Sequence, residues 1–328
     1  MDAKIVAPKA IESELTSIWD ALEGQGTMRA CLYNLIVYSS QCERTDYLRE
    51  IAKKTIDKFP SRILFVTVGE KELETQVSVM RSGKIACDLI DIYVSEEQRT
   101  LIPFLLLPHL VCDLPTYILW ADDPTRDDPI APDLKKMATR IIYDSECAQD
   151  FKVFAKTALA RSGPIADLNW ARIEGWRALL SNLYRTVDRI AVLKNTKRVH
   201  ITYNSHQTAF FAHTQIQAQY LKAHLISCME WKDVAITIEP VNFEQIAPGR
   251  VVTIEIESHE GDHTLIQRNP EEPEQIVIQN STATHCSLPS FFVFAKYESG
   301  QSLVNEICHQ GTSKHLRSAL ELIVKETQ

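Results

Sequence analysis

Leu32-Tyr33-Asn34-Leu35-Ile36-Val37-Tyr38 is a run of strand length in which apolar residues follow one another instead of alternating with polar ones. A strand of that kind is buried on both faces, as strands are in parallel sheets flanked by helices. A second such run at residues 63–68 follows a helical face of Leu48, Ile51, Ala52, Thr55 and Phe59 that ends at Pro60. Shorter runs at 116–120 and 141–143 and a helix over about 150–161 continue the alternation. The expected class is α/β, with a doubly wound, mostly parallel sheet. Val77 and Val79 alternate with polar neighbours, Ser82-Gly83 turns, and 85–94 returns, which predicts a hairpin. Ahead of it all, Ile11, Leu15, Ile18, Trp19 and Leu22 form one helix face that stops at Gly24 and Gly26.

Ser162-Gly163-Pro164 breaks the alternation, and a helix starts near Asp167, whose carboxylate is placed to cap it. Trp170, Ile173, Arg177, Leu180 and Tyr184 recur at helical spacing along it. Gly175 inside this helix costs ~1 kcal/mol against alanine, which points to close packing. The second half reads differently. It has a strand at 199–203, a long helix marked by Phe210, Ala218, Leu221 and Leu225, and strands at 234–239, 251–257, 264–268 and 275–279. Val252, Ile254 and Ile256 alternate with Thr253, Glu255 and Glu257, the pattern of a half-exposed antiparallel strand. Leu316, Leu320, Ile323 and Val324 mark a final helix. A smaller α+β domain with antiparallel strands is therefore expected after the first. The break is placed in 186–197, around Lys194-Asn195-Thr196-Lys197. Residues 1–190 then form a Rossmann-like or flavodoxin-like domain with a tryptophan-bearing connecting helix, and 191–328 the α+β domain.

The net charge of −8 argues against nucleic acid and anionic membranes as partners, because phosphates attract basic surfaces. Residues 1–20 hold Asp2, Glu12, Glu14 and Asp20, so no apolar signal core is present. The longest apolar stretch, 101–112, is broken by Pro103, Pro108 and His109 and falls well short of the ~20 residues of a membrane span. The eight cysteines (Cys31, Cys42, Cys87, Cys112, Cys147, Cys228, Cys286 and Cys308) are scattered without a C-x-x-C pair. That fits reduced, structural thiols in a cytoplasmic protein, with a redox switch as the alternative.

Reactive constellations are sparse. A phosphate cradle needs glycine so that backbone can approach the phosphate. The ten glycines form neither G-x-G-x-x-G nor G-x-x-x-x-G-K-[ST], and no G-x-S-x-G elbow occurs. Ser39-Ser40 follows the first strand at a position where α/β folds bind ligands, though two serines there read first as a polar loop. The tract from Trp120 to Pro129 holds Asp122, Asp123, Asp127 and Asp128. It admits a solvated turn, a partner contact, or a carboxylate metal site. His259 and His263 flank Glu260-Gly261-Asp262, which is hairpin-turn chemistry and not a helical zinc pair. His109 reads as a structural polar residue. His285-Cys286 and Cys308-His309 lack further ligands at useful spacing.

Two segments carry a resemblance to a known family: Pro108-His109-Leu110-Val111-Cys112-Asp113-Leu114-Pro115-Thr116-Tyr117-Ile118-Leu119-Trp120, and Asp167-Leu168-Asn169-Trp170-Ala171-Arg172-Ile173-Glu174-Gly175-Trp176-Arg177. Arg29 to Tyr38 is a weaker third. Their order and spacing resemble the bacterial glucose-6-phosphate dehydrogenase assembly protein family, OpcA, over roughly residues 25–190. One departure is that the family's strand before the acidic loop tends to end in two tryptophans, whereas Ala121 follows Trp120 here. The resemblance implies a non-catalytic assembly factor or allosteric activator that binds glucose-6-phosphate dehydrogenase in the oxidative pentose phosphate pathway. It implies no catalytic residue and assigns no redox role to any cysteine here; from the residues themselves, no cofactor and no metal are expected.

Trp170 and Trp176 are six apart, or ~600° of helical rotation, so one continuous helix would place them on different faces. Either the helix packs internally on both faces, or one indole meets a partner, where tryptophan and arginine dominate binding energies. The candidate partner-binding residues are Trp120, Asp122 and Asp123 in the loop. On the helix they are Asn169, Trp170, Arg172, Trp176 and Arg177. The competing readings are a sugar-phosphate enzyme, such as a 6-phosphogluconolactonase-like hydrolase, and a small-ligand sensor.

Overall fold

A computed structural model describes all residues except 1–2, 25, 41–43, 57–58, 162, 209–212, 283, 295–298, 309–312 and 327–328. Asp2, Cys42, Ser162, Phe210 and His309, which the sequence reading uses, lie outside the described residues. In chain order the strands and helices are β1 (Lys4–Val6), α1 (Ile11–Leu22), β2 (Met28–Arg29), β3 (Tyr33–Ser40), α2 (Arg44–Thr55), β4 (Ser61–Gly69), β5 (Glu74–Ser82), β6 (Ile85–Ser95), α3 (Ile102–Leu106), β7 (Thr116–Trp120), α4 (Ala131–Met137) and β8 (Arg140–Tyr143). They continue with α5 (Phe151–Ala160), α6 (Leu168–Arg172), α7 (Glu174–Leu183), α8 (Val187–Lys194), β9 (Thr196–Asn204), α9 (Ile216–Met229), β10 (Ala235–Val241), β11 (Val251–Ser258), β12 (His263–Arg268), β13 (Gln275–Ser281), β14 (Ser290–Val293), α10 (Ser299–Cys308) and α11 (Lys314–Lys325).

Contacts divide the chain into two compact units. The first comprises 1–149, 166–168 and 298–311; the second comprises 150–165, 169–297 and 312–328. The sequence reading groups 150–190 with the first half, whereas by contacts all of that stretch except 166–168 belongs to the second unit. The stretch in which the break was placed, 186–197, holds α8 and the start of β9.

The first unit is built on a sheet in the order β1-β5-β6-β4-β3-β7-β8, with β2 beside β6. From β6 to β8 every pairing is parallel. Chain order along those five strands runs third, second, first, fourth, fifth, which is the doubly wound arrangement. β3 and β4 are buried along nearly their whole length, as their unbroken apolar runs require. Leu35, Val37, Ile63, Phe65, Leu119 and Ile142 pack with Leu48, Ile51 and Ala52 of α2 and with Leu303 and Ile307 of α10. β5 and β6 form the expected hairpin, with Ser82 opposite Ile85. Its two-residue loop opens on Gly83 at φ +58°, a conformation that costs glycine nothing.

At the N-terminal end of this sheet Arg62 on β4 stands beside Asp88 on β6. Its Nη2 and Nε donate to Asp88 Oδ2 at 2.8 and 3.0 Å. Arg29 Nη2 donates to the same oxygen at 2.8 Å, and Trp19 Nε1 of α1 donates to Oδ1 at 2.6 Å. Arg62 Nη1 also reaches Glu12 Oε1 (3.1 Å) and the His109 carbonyl (3.0 Å), and His109 Nδ1 lies 2.9 Å from Glu12. His109 is thus the structural polar residue expected. Burial alone would raise the Asp88 carboxyl. The bonds from Arg29 and Trp19 and the charges of Arg62 and Arg29 outweigh it and hold it below the usual carboxylate value.

The second unit carries a sheet in the order β10-β9-β11-β12-β13-β14. Four of its five pairings are antiparallel, as expected; β9 and β10, which α9 separates in sequence, are parallel. The helix expected from Asp167 is broken at Ile173 (φ −91°, ψ 7°) into α6 and α7. Among the described residues no helix is long and apolar enough to cross a membrane.

Asp88→Ala leaves Arg62 buried without its main partner and is expected to cost roughly 3–5 kcal/mol, read by urea denaturation. Because the folded-state carboxyl lies below the unfolded value of about 3.9, its contribution is complete above that pH. It is lost as pH falls through the folded value, so the variant should show a shallower acid-side loss than the parent. Parent-like stability of Asp88→Ala at neutral pH would show that the cluster does not hold the sheet end together.

Candidate functional site

In a doubly wound sheet, ligands bind beyond the C-terminal ends of the strands, where neighbouring strands lead off in opposite directions. Here that switch point lies between β3 and β7. Tyr38 and Trp120 stand opposite each other in register there. Their rings pack at 4.7 Å with a 48° tilt, and both are buried. β3 runs on through Ser39 and Ser40, so these serines end a strand and do not begin a loop.

Ser40 Oγ donates to Asp122 Oδ2 at 2.8 Å. Arg99, in the single 3-10 segment that follows β6, donates to the same oxygen at 3.3 Å and stands 3.7 Å from Asp128 Oδ2. Its guanidinium also lies 5.8 Å above the Tyr38 ring, and Tyr38 OH donates to Asp128 Oδ2 at 2.8 Å. Asp123 turns back into its own loop, accepting from Thr125 N–H (2.9 Å) and Thr125 Oγ1 (2.6 Å). The acidic tract is therefore a structured turn in which Arg99, Ser40, Tyr38, Thr125 and the loop backbone hold Asp122, Asp123 and Asp128.

This arrangement suits neither an anionic ligand nor nucleophilic chemistry. Arg99 faces two carboxylates, so the local charge balance is not positive. Burial, followed by the bond to Asp128, pushes the Tyr38 phenol well above its ordinary value, which keeps it a proton donor. The Trp120 indole N–H is buried and makes no hydrogen bond among the described residues. A second buried pair, Arg44 of α2 with Asp144 after β8, holds the far side of the same sheet end. Burial would lower the Arg44 guanidinium, but the Asp144 charge outweighs it and raises it. Asp167 accepts from Ser145 N–H and Oγ, both at 3.0 Å, and so fixes the turn beyond β8. Sequence reading missed Arg44, Arg99 and Asp144 because isolated charges carry no spacing signal. Their only trace was their place after apolar runs.

In the second unit, Trp170 and Trp176 are each 2% exposed. Trp170 packs edge-on against Tyr220 (5.6 Å) and His224 (5.7 Å) and carries the Arg177 guanidinium over its face at 4.1 Å. Trp176 packs against Phe294 (5.3 Å) with Arg268 at 5.7 Å. Gly175 admits the Phe294 ring: a Cβ there would lie 3.1 Å from Phe294 Cδ1. Asn169 is buried and accepts from Arg172 at 2.8 Å. Neither indole reaches the surface, so the expectation of a partner-facing tryptophan is corrected. Once the helix breaks at Ile173, both rings find internal partners. Trp120, Asp122 and Asp123 come together in the first unit, and Asn169, Trp170, Arg172 and Arg177 in the second. Trp176 joins a different aromatic group there. His259 and His263 flank the β11–β12 hairpin turn, as expected.

Comparisons with known proteins cover most of the chain. A family model described as the glucose-6-phosphate dehydrogenase subunit N-terminal domain matches residues 52–159, and one for the C-terminal domain of the same subunit matches 163–320. A putative OxPP cycle protein OpcA from Nostoc punctiforme is 27% identical over 208 residues, spanning 59% of this chain and 43% of that protein. Its counterpart from Synechocystis is 23% identical over 164 residues, 49% of this chain and 33% of that one. The chain thus matches less than half the length of these relatives. A solved dehydrogenase from Clostridium difficile overlays 89% of this chain and 98% of its own at a TM-score of 0.37 and 9% identity, too distant to bear on fold or function.

Tyr38→Phe keeps the ring against Trp120 and removes the bond to Asp128, at an expected cost of about 1.5–3 kcal/mol at neutral pH. The folded phenol stays protonated while an unfolded one ionises near pH ~10. Tyr38 therefore contributes stability that is present below that pH and lost above it. Replacing it should reduce the alkaline decline of the unfolding free energy by about 1.4 kcal/mol per pH unit. An unchanged alkaline slope would place the Tyr38 hydroxyl in water.

Proposed function

Since the chain belongs to the OpcA family of glucose-6-phosphate dehydrogenase subunits, we propose that it is a non-catalytic assembly factor or allosteric activator of glucose-6-phosphate dehydrogenase in the oxidative pentose phosphate pathway. The observation that carries this reading is the closed switch point. Where an enzyme of this topology holds its ligand, Tyr38 and Trp120 fill the space and Arg99 is bound to Asp122 and Asp128.

The surface for the partner is the segment between β6 and β7. Leu101, Phe104 and Leu107 are 43%, 75% and 60% exposed, while Ile102, Pro103 and Leu106 of the same turns are buried. Spacing of three in a tight helical segment puts the exposed three on one side. Apolar side chains grouped this way mark interaction sites. The stripe is held at both ends, by Arg99 on Asp122 and Asp128 and by His109 on Glu12. It is thus pre-organised, which lowers the entropic cost of docking.

Activation follows if the dehydrogenase conformer competent for substrate binds this surface better than the other does, and substrate then tightens the complex in return. Dehydrogenase activity against glucose-6-phosphate, measured with and without saturating protein, should change in KM, kcat or oligomeric state. No change in any of them removes the reading. Phe104→Glu lies on the surface and should fold normally, yet weaken the complex by roughly 30-fold, the loss of a binding hot spot. A complex that forms undiminished with this variant moves the docking surface elsewhere and leaves the role intact.

A further inference from the structure

Three metal-ligating side chains converge in the second unit. His224 and Cys228 stand one turn apart on α9, and His315 faces them from the first turn of α11. Cys228 Sγ lies 3.5 Å from His224 Nδ1 and 3.6 Å from His315 Nδ1. All three ligand atoms fall within 4.8 Å of one another. With Zn–S bonds of about 2.3 Å and Zn–N bonds of about 2.05 Å, tetrahedral coordination separates sulfur from nitrogen by about 3.5 Å. Both observed sulfur–nitrogen separations match that value.

From this geometry we infer that His224, Cys228 and His315 form a three-ligand site for a divalent transition metal of the zinc class, with its fourth position open to water. One thiolate and two imidazoles select borderline and soft ions over magnesium or calcium. His224 and Cys228 are half-buried and His315 is exposed, so the site has an entry path from solvent. Burial first, then the charges of Arg177 and His315, lowers His224 to about 4. Its ring is held edge-on by Trp170 at 5.7 Å and by His315 at 5.5 Å.

Binding replaces the Cys228 S–H bond with a sulfur–metal bond and releases the proton to solvent. Burial raises that thiol, and the Arg177 charge offsets part of the rise. The same charge opposes the incoming cation, which the thiolate partly neutralises. Ligation would fasten α11 to α9, which Lys222 and Glu326 already join at 2.8 Å.

The test is titration of the metal-free chain with Co²⁺. Occupancy should be one per chain, with a thiolate-to-cobalt charge-transfer band, tetrahedral visible bands, and displacement of the colour by Zn²⁺. Cys228→Ser should abolish the charge-transfer band. His315→Ala, at an exposed position that leaves the fold intact, should weaken Co²⁺ binding by more than about 100-fold. That is beyond the 10–100-fold that loss of a ligand's supporting hydrogen-bond partner costs. Cys286→Ser, an exposed thiol elsewhere, should bind as the parent does. Zn²⁺ should raise the Tm of the parent and of Cys286→Ser, and not of Cys228→Ser. No charge-transfer band, or one that survives Cys228→Ser, overturns the assignment, as does His315→Ala binding Co²⁺ like the parent.

Discussion

A charge taken out of water must meet its opposite, and in the first unit that constraint decides how the helices and loops attach to the sheet. Removing an ion from water costs several kcal/mol, repaid only where the partner and the remaining hydrogen bonds are in place. Asp88 sits on a strand with its oxygens filled by Arg62, Arg29 and Trp19. Since Trp19 belongs to α1, the docking of that helix is tied to the neutralisation of one carboxylate. Arg140 of β8 meets Glu306 of α10 at 2.7 Å in the same way, drawing in a helix from far along the chain. Arg44 and Asp144 join the start of α2 to the turn after β8. The apolar core supplies the bulk of the driving force and is indifferent to direction. These pairs tolerate one arrangement of the elements around the sheet.

The same constraint operates at the switch point, and there it bears on function. A doubly wound sheet serves many unrelated activities, so the fold by itself argues for none. What matters is whether the polar groups at the strand ends face outward for a ligand or inward for each other. Ser40, Arg99, Asp122 and Asp128 face each other, and the Tyr38 hydroxyl closes the set. An anionic substrate entering here would have to break the pairing of Arg99 while approaching two carboxylates. That cost weighs against an anionic ligand at this point of the sheet.

The legible parts of the fold were those set by local pattern. β3 and β4 announce themselves because burial on both faces leaves no room for polar alternation, and the β5–β6 hairpin because only a glycine opens its turn cheaply. Parts decided at long range were not. α10 depends on α2 and β8 for its burial, so nothing near Leu303 and Ile307 signals where it goes. The domain break was placed across α8, which buries only Leu193 and so gives little sign of belonging to a core. The tryptophan helix was read as continuous because periodicity cannot register one residue at ψ near zero. Across the break at Ile173, Trp170 packs on Tyr220 and His224, and Trp176 on Phe294. His224 and Cys228 went unread among the scattered histidines and cysteines, because their third member, His315, lies on another helix far along the chain. The acidic tract was legible as a turn, and its partner Arg99 was not, since an isolated arginine has no periodicity to betray it.

The surface segment between β6 and β7 gathers these strands of argument. It leaves the sheet at Ser95, is fastened by Arg99 to the closed switch point, and is fastened again by His109 to the Glu12–Arg62–Asp88 cluster at the opposite end of the sheet. Between those anchors it shows solvent an apolar face that a monomer gains nothing by exposing. A short helical segment with apolar residues on both sides is unstable as a free surface feature unless something else holds its backbone. Here the Arg99 pairs with Asp122 and Asp128 and the His109 contact with Glu12 do so. The charges that would otherwise serve a ligand therefore present a rigid hydrophobic edge. A partner that closes over Leu101, Phe104 and Leu107 would press directly on the segment bearing Arg99. Arg99 and the exposed Leu101, Phe104 and Leu107 belong to one short segment, so the pairing of Arg99 with Asp122 and Asp128 also fixes where that apolar face stands.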